Sequence, residues 1–156
     1  MNADHINPFV QGTQSTLYMI SGENPQLGRL SLKKAPFTMR KVTIFVGFFG
    51  DINGHAVFSL DTQDACIMAS KMLGGATVSV LDELSASSLA ELGNMIAGNI
   101  ATKFSIKGIA VDISTPRFKI DASDDDFYFV PPGKALICVP LEFTTGLVVE
   151  LNIYIA

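Results

Sequence analysis

The sequence predicts an α+β fold in which helices pack on an antiparallel or mixed β-sheet. Segments with the 3.6-residue periodicity of helices alternate with runs of β-branched and aromatic residues. The strand-like runs come in pairs joined by short turns, which favours antiparallel hairpins. The chain has 156 residues, and no linker or low-complexity stretch interrupts it. We therefore expect a single domain over residues 1–156.

The first helix is expected to begin at Asn7-Pro8 and to end at Gly22. Asn is a favoured N-cap, Pro is tolerated at the first helical position, and Gly often follows the last turn. The next segment, Glu23–Pro36, is rich in turn-forming Pro and Gly. It is expected to be mostly loop or short edge strand.

A hairpin and a second helix follow. The runs Lys41–Phe49 and His55–Leu60 are typical of strands, and the glycine-rich segment 50–54 between them predicts a turn. The second helix is expected to start after Asp61 and to end before the Gly pair at 74–75.

A third and longer helix is expected over Asp82–Phe104, with Gly108 beyond its end. Three further strands are predicted by β-branched and aromatic runs, and the last two would form a second hairpin. Their expected ranges are Ile109–Thr115, Ala135–Phe143 and Leu147–Ile155.

Composition and charge exclude several classes of function. The net charge is −4 with only 11 Lys and Arg, and no basic stripe follows any predicted helix, which disfavours nucleic-acid binding. No stretch has the length and apolarity of a membrane span, and the N-terminal residues lack the pattern of a signal peptide, so a cytoplasmic location is expected. The hydrophobic content of 48% is high for a monomer and suggests a homodimer.

The third helix carries a polar stripe opposite an apolar face. At about 100° per residue, Ser87, Glu91, Asn94 and Gly98 fall within an arc of roughly 60°. The predicted core-facing residues lie on the other side of the helix, over roughly 120°. They are Leu89, Leu92, Ile96, Ile100 and Phe104.

Small residues flank this stripe. Ala90, Ala97, Gly98 and Ala101 leave Glu91 and Asn94 unobstructed, whereas a face that served only solubility would carry long charged side chains. We therefore expect the surface of a partner to approach this side of the helix closely.

These residues resemble the signature of the CheC, CheX and FliY family of chemotaxis phosphatases. The matching segment is Ser87–Asn94, with Glu and Asn at the required spacing, followed 22 positions later by Pro116. The segments Ile6–Phe9, Lys71–Gly74 and Asn94–Gly98 are similar to the CheX type, so the resemblance covers essentially the whole chain.

The resemblance implies a phosphatase that dephosphorylates a phosphorylated CheY-like response regulator. In this family Asn94 would orient the attacking water, and Glu91 would pair with the active-site Lys of the regulator. Mg²⁺ would be bound by the regulator, and this chain would bind no cofactor. Ser87 takes the place of an Asp or Ser of the motif, and Ala90, Gly98 and Ala101 are expected to contact the partner.

The first helix lacks a second copy of the Glu-x-x-Asn motif. Related CheC chains carry a copy there, but the segment Gln11–Gln14 does not, so one site per chain is expected. Resemblance to CheX also implies a homodimer joined through sheet edges. The alternative function is a non-enzymatic adaptor or switch-type module, like the FliM middle domain, that binds or sequesters phosphorylated regulator.

Other polar clusters do not have the spacing of known sites. The four aspartates of the segment 121–126 lack the Gly and Glu of a Ca²⁺ loop and favour a solvated loop. His5, His55, Cys66 and Cys138 lack zinc-site spacing, and the two cysteines are expected to be buried thiols.

Overall fold

A computed structural model describes residues 2–156 as three α-helices, eight β-strands and one 3₁₀ turn at Asp124–Phe127. The helices are α1 Ala3–Ser21, α2 Thr62–Met72 and α3 Glu83–Ile106. The strands are β1 Gln26–Leu27, β2 Ser31–Lys34, β3 Val42–Gly50, β4 Gly54–Leu60, β5 Val111–Ile113, β6 Arg117–Ile120, β7 Ala135–Glu142 and β8 Val148–Ile155.

All strands belong to one antiparallel sheet with the order β1-β7-β8-β4-β3-β5. In addition, β2 pairs with β7, and β6 pairs with β3. The predicted α+β class and both predicted hairpins, β3 with β4 and β7 with β8, are confirmed. Strand β3 has β4 along one side and both β5 and β6 along the other.

The two faces of the sheet are covered differently. Alternate residues of β3, such as Ile44 and Val46, face α1 and α3 in the larger hydrophobic core. Phe45 points to the opposite face, where it packs with Phe127 and Val130 from the segment before β7. The helices therefore occupy one face, and loop segments cover part of the other.

The prediction that α1 begins at Asn7-Pro8 is wrong, because α1 begins at Ala3. Asn2 is the N-cap, and its side-chain oxygen accepts a hydrogen bond from Asp4 N at 2.9 Å. Pro8 lies inside the helix and has no N–H for the carbonyl of Asp4. Lys107 Nζ donates to that carbonyl at 3.3 Å, which compensates for the missing bond.

The prediction of a single strand over Ile109–Thr115 is also wrong. Only Val111–Ile113 forms β5, and a strand that was not predicted, β6, follows Pro116. Between them, Ser114 N donates to Gly47 O at 2.9 Å, and Gly47 N donates to Ser114 Oγ at 2.7 Å. These bonds hold the connection beside β3, so both short strands pair with that one long strand.

Helices α1 and α3 pack closely against each other. A Cβ on Gly12 would lie 2.6 Å from Ile100 Cγ1 and 2.8 Å from Ile100 Cα, so only glycine fits at this crossing. One turn further along, Asn99 Nδ2 donates to Thr16 Oγ1 at 2.5 Å. This hydrogen bond links α3 to α1.

The acidic segment is held by protein partners. Asp124 Oδ1 accepts from Phe37 N at 2.7 Å, Asp121 pairs with Lys41 at 2.9 Å, and Asp126 pairs with Lys119. Within residues 2–156, no three His, Cys, Asp or Glu side chains are grouped as metal ligands. The segment contains a 3₁₀ turn where the sequence suggested only a loop.

Both cysteines are free and buried, as predicted. Burial raises the pKa of the Cys138 thiol, because the low-polarity surroundings disfavour the thiolate. None of the helices formed by residues 2–156 has the length and apolarity required to cross a membrane.

Candidate functional site

The beginning of α3 is fixed by its N-cap. Asp82 Oδ1 accepts hydrogen bonds from Ser85 N and Ser85 Oγ, each at 2.9 Å. These bonds from Ser85 lower the pKa of the Asp82 carboxyl, because they stabilise its ionised form. The negative charge also suits a helix N-terminus. The helix is thus well ordered two turns before Glu91.

The predicted core face of α3 is confirmed. Each of its five large side chains is at most 1% exposed: Leu89, Leu92, Ile96, Ile100 and Phe104. On the opposite side, Ser87, Glu91 and Asn94 are exposed and Gly98 is partly exposed. The predicted polar stripe therefore exists as an outward-facing surface of the molecule.

Glu91 and Asn94 have no partners within the described chain. Among residues 2–156, no ion pair includes the Glu91 carboxylate. The side-chain hydrogen bonds of α3 likewise involve Ser85, Ser88, Asn99 and Thr102, and neither member of the pair. Residues at i and i+3 on a helix are neighbours, with Cβ atoms about 5–6 Å apart. An acceptor and an amide are thus held side by side and free for a partner.

Gly93 brings this turn of α3 against the sheet. A Cβ at Gly93 would lie 2.6 Å from Ile44 Cγ2 and 3.6 Å from Pro116 Cβ. Only glycine permits this approach, which places Pro116 beside the turn that carries Glu91 and Asn94. The structure therefore brings the distant Pro of the sequence motif to the site.

The expectation of small, open flanks is partly wrong. Ala90, Gly98 and Ala101 are partly exposed, and apart from the adjacent backbone of α3 a Cβ on Gly98 would meet no atom of the described residues within 4 Å. Ala97, however, is wholly buried. It lies only about 40° around the helix from Gly93, so the close approach to the sheet buries it.

Two exposed apolar residues, one in the first turn of α3 and one in the loop before it, were not predicted from the sequence. Leu84 is 62% exposed and lies three residues before Ser87, on the same side of α3. Val80, in the loop before the helix, is 66% exposed. The i, i+3, i+7 spacing of Leu84, Ser87 and Glu91 is the signal that could have identified this apolar end of the stripe.

A family model for the chemotaxis phosphatase CheX matches residues 42–125, which is more than half of the chain. The chain belongs to the CheX family. The match to CheX spans the strands from β3 to β6 and includes Glu91, Asn94 and Pro116. The resemblance seen in the sequence is therefore confirmed.

A CheX relative extends the match beyond this range. The chain is 32% identical over 116 residues to the protein named CheY-P phosphatase CheX from Thermotoga maritima. The aligned part covers 74% of this chain and 75% of that protein. Most of both proteins is thus aligned.

Solved structures share the CheX fold over nearly the full length. The CheX-CheY-BeF3-Mg²⁺ complex from Borrelia burgdorferi matches with a TM-score of 0.79 and 30% identity, covering 99% of each chain. A CheC-like superfamily protein from Shewanella sp. PV-4 matches with a TM-score of 0.82 and 23% identity, covering 100% of this chain and 99% of that one. The second likeness concerns the fold alone.

Proposed function

We propose that this chain is a phosphatase that hydrolyses the aspartyl phosphate of a phosphorylated CheY-like response regulator. The observation that carries the proposal is the free Glu91 and Asn94 pair on the exposed side of α3, within the range matched by the CheX family. The name of the Thermotoga relative, a CheY-P phosphatase, and the Borrelia complex of CheX with CheY support the choice of substrate.

Asn94 is proposed to orient the attacking water. A neutral carboxamide is a poor general base, but its oxygen and its N–H groups can hold a water molecule by hydrogen bonds. Hydrolysis of a phosphoryl group requires water in line with the leaving oxygen, so positioning alone accelerates the reaction. Because Asn94 has no internal partner, its carboxamide is available for this role.

Glu91 is proposed to pair with the active-site Lys of the regulator. A carboxylate and an ammonium that lose water at an interface form a short, charge-assisted hydrogen bond, and such a pair fixes the register of two proteins. Glu91 lies one turn before Asn94. Pairing with the Lys would therefore hold Asn94 over the phosphoryl group.

The rest of the active site is proposed to lie on the regulator. The phosphorylated Asp and the acidic ligands of Mg²⁺ would belong to it, and this chain would supply no cofactor. The presence of CheY, BeF3 and Mg²⁺ in the Borrelia complex supports this division. The two proteins would each contribute half of the catalytic machinery.

The docking surface is proposed to be the stripe together with its small and apolar flanks. Ser87, Ala90, Gly98 and Ala101 would allow the regulator to approach the helix closely. Leu84, at the N-terminal end of the stripe, would add an apolar contact. Its side chain is 62% exposed, so docking would remove a large apolar area from water.

A homodimer in the cytoplasm remains part of the proposal. The outer edge of β2 supports it, because β2 pairs only with β7 among the described strands, and Leu32 beside that edge is 66% exposed. Light scattering at micromolar concentration tests the assembly, and a monomer mass would contradict it.

The decisive experiment follows loss of labelled phosphate from a cognate regulator with and without this protein. We expect Asn94→Ala to lower the rate at least about 100-fold, equivalent to about 2.7 kcal/mol, while circular dichroism stays unchanged. Glu91→Ala is expected to weaken both docking and turnover. Glu91→Asp should not restore them, because its carboxylate is one methylene shorter.

Matched controls remove an amide and a carboxylate elsewhere. Asn7 lies on the exposed side of α1, and Glu142 is exposed at the end of β7. Asn7→Ala and Glu142→Ala should dephosphorylate the regulator as fast as the parent protein. Binding of the regulator without faster dephosphorylation would instead support the adaptor or sequestering alternative.

A further inference from the structure

A cleft of about 670 Å³ opens on the face of the sheet opposite to α1 and α3. Its volume is within the range of about 300–1,000 Å³ that is usual for small-molecule sites. Its wall includes five aromatic side chains, those of Phe45, Phe49, Tyr128, Phe129 and Tyr154. The proposed phosphatase function makes no use of this face.

Gly47 forms an open floor in the cleft. A Cβ at this position would lie 3.1 Å from Ser114 Oγ and 3.5 Å from His55 Nε2. Any other residue would therefore fill the space between these two polar atoms. Because the Ser114 oxygen already accepts from Gly47 N, its own proton remains available for a ligand.

His55 is fixed in one orientation beside this floor. Its ring stacks on Phe129 with centroids 4.0 Å apart and planes 20° from parallel. Its Nδ1 is buried without a hydrogen-bond partner among residues 2–156. A buried N–H without an acceptor is rarer than a buried lone pair without a donor, so the proton belongs on Nε2. Burial, and then the charge of Arg117, lower the pKa of His55, which favours the neutral form of the ring.

Arg117 supplies the positive charge of the cleft. Its guanidinium lies 5.6 Å from the centroid of the Phe45 ring. No carboxylate of the described chain pairs with it. A guanidinium presents several N–H donors in one plane, which suits a carboxylate or a phosphate.

We propose that the cleft binds a small planar aromatic anion, with its ring against the aromatic wall and its anionic group between Arg117 and His55 Nε2. Aromatic rings favour stacked or edge-on contact with such walls. An aromatic carboxylate and a mononucleotide share the required chemistry, a flat ring and a nearby anion. This proposal does not depend on the phosphatase reaction, because Glu91 and Asn94 lie on α3, across the sheet.

The test is a titration of the ¹⁵N-labelled chain, followed by amide chemical shifts. Indole-3-acetate represents the carboxylates, and adenosine monophosphate represents the nucleotides. We expect saturable shifts around Gly47, His55 and Phe129 with at least one probe, at a Kd below about 1 mM. Indole-3-acetamide, which has the ring without the charge, and acetate, which has the charge without the ring, should each bind at least about tenfold more weakly.

Two variants and one control assign the binding to this cleft. Arg117→Gln should lower the affinity for the probe at least about tenfold, because it removes the only charged group of the protein in the proposed contact. Gly47→Ala should do the same by filling the floor. Lys119→Gln removes a charge from the same strand, but Lys119 pairs with Asp126 outside the cleft, so the affinity should stay unchanged.

Three results would overturn the proposal. One is the absence of saturable binding by both probes in the millimolar range. Another is binding that Arg117→Gln and Gly47→Ala leave unaltered. The third is affinity that falls as the protein concentration is raised, because a second copy of the chain would then be covering the cleft.

Discussion

Helices α1 and α3 lie side by side on the same face of the sheet, yet only α3 carries a candidate site. Each has one glycine at a very close contact: Gly12 of α1 lies against Ile100 of α3, and Gly93 of α3 lies against Ile44 of β3. Their outer surfaces differ. Gln14 of α1 donates to Pro25 O at 3.1 Å, whereas the α3 pair is free. Packing makes the two helices alike, and a few outward-facing residues distinguish them.

The largest effect is expected when the motif is moved from α3 to α1. In an Asn94→Ala background, we introduce Gln11→Glu and Gln14→Asn, which give α1 the same i, i+3 spacing. We expect the loss of at least about 100-fold in dephosphorylation rate to remain. The reason is that position 14 contacts the loop at Pro25, and the large Tyr18 lies one turn further along α1.

The measurement is release of labelled phosphate from the regulator. The same two α1 substitutions in the parent protein form the control, and they should leave the rate unchanged. Recovery to within about tenfold of the parent rate would show that a Glu-x-x-Asn pair on either helix is sufficient. It would then be wrong to attribute the site to the surroundings of α3.

A second test concerns the contact between the two helices. Gly12→Ala would place a Cβ 2.7 Å from Ile100 N and 2.8 Å from Ile100 Cα, so backbone atoms must move. We expect the free energy of unfolding to fall by about 1–3 kcal/mol, measured by urea denaturation. Unchanged or higher stability would mean that the α1 and α3 contact is looser than described.

The periodicity of α3 was sufficient to predict its buried and exposed faces. The burial of Ala97 and the position of neighbouring elements could not be predicted in this way. Exposure of Glu91 and Asn94 follows from spacing alone. Burial of Ala97 depends on how closely Gly93 lets α3 approach β3, which is a tertiary effect. Similarly, Pro8 suggested a helix start, but the structure places it inside α1. Its tolerance there depends on Lys107, about a hundred residues later in the chain, which could not be foreseen from local sequence. The β6 strand was missed because it is short and follows Pro116 directly.

Gly98→Ala separates stability from docking on α3. Apart from the adjacent backbone of α3, no atom of the described residues lies within 4 Å of the new methyl group, so the gain in helix propensity should stabilise the fold by up to about 1 kcal/mol. The methyl group would stand on the proposed docking stripe, and we expect regulator binding to weaken by about tenfold or less. Urea denaturation and a binding titration measure the two effects. Unchanged affinity would exclude Gly98 from the interface.

The smallest expected effect is a pH dependence of stability on the opposite face of the sheet. Burial, followed by the charge of Arg117, lowers the pKa of His55 below its ordinary value of 6.5. Below pH 6.5 the unfolded chain therefore binds a proton that the folded chain resists, and stability falls as the pH is lowered. The contribution is fully present above that pH.

His55→Gln tests this sign. The free energy of unfolding of the parent should decrease more than that of the variant between pH 7.5 and pH 5, measured by denaturant titration. This pH range ends above the pH values at which carboxyl groups such as that of Asp82 take up protons. Equal slopes for the two proteins would contradict the assignment to His55.

The position of β3 has a consequence for local opening of the fold. This strand is hydrogen-bonded along both sides, and it contributes to the hydrophobic clusters on both faces of the sheet. Its amides should therefore exchange with deuterium only on near-global unfolding, and more slowly than those of the edge strand β2. The contact of Gly93 with Ile44, beneath Glu91 and Asn94, would then persist while the edges of the sheet open and close. The same slowly exchanging strand contains Gly47, the floor of the aromatic cleft.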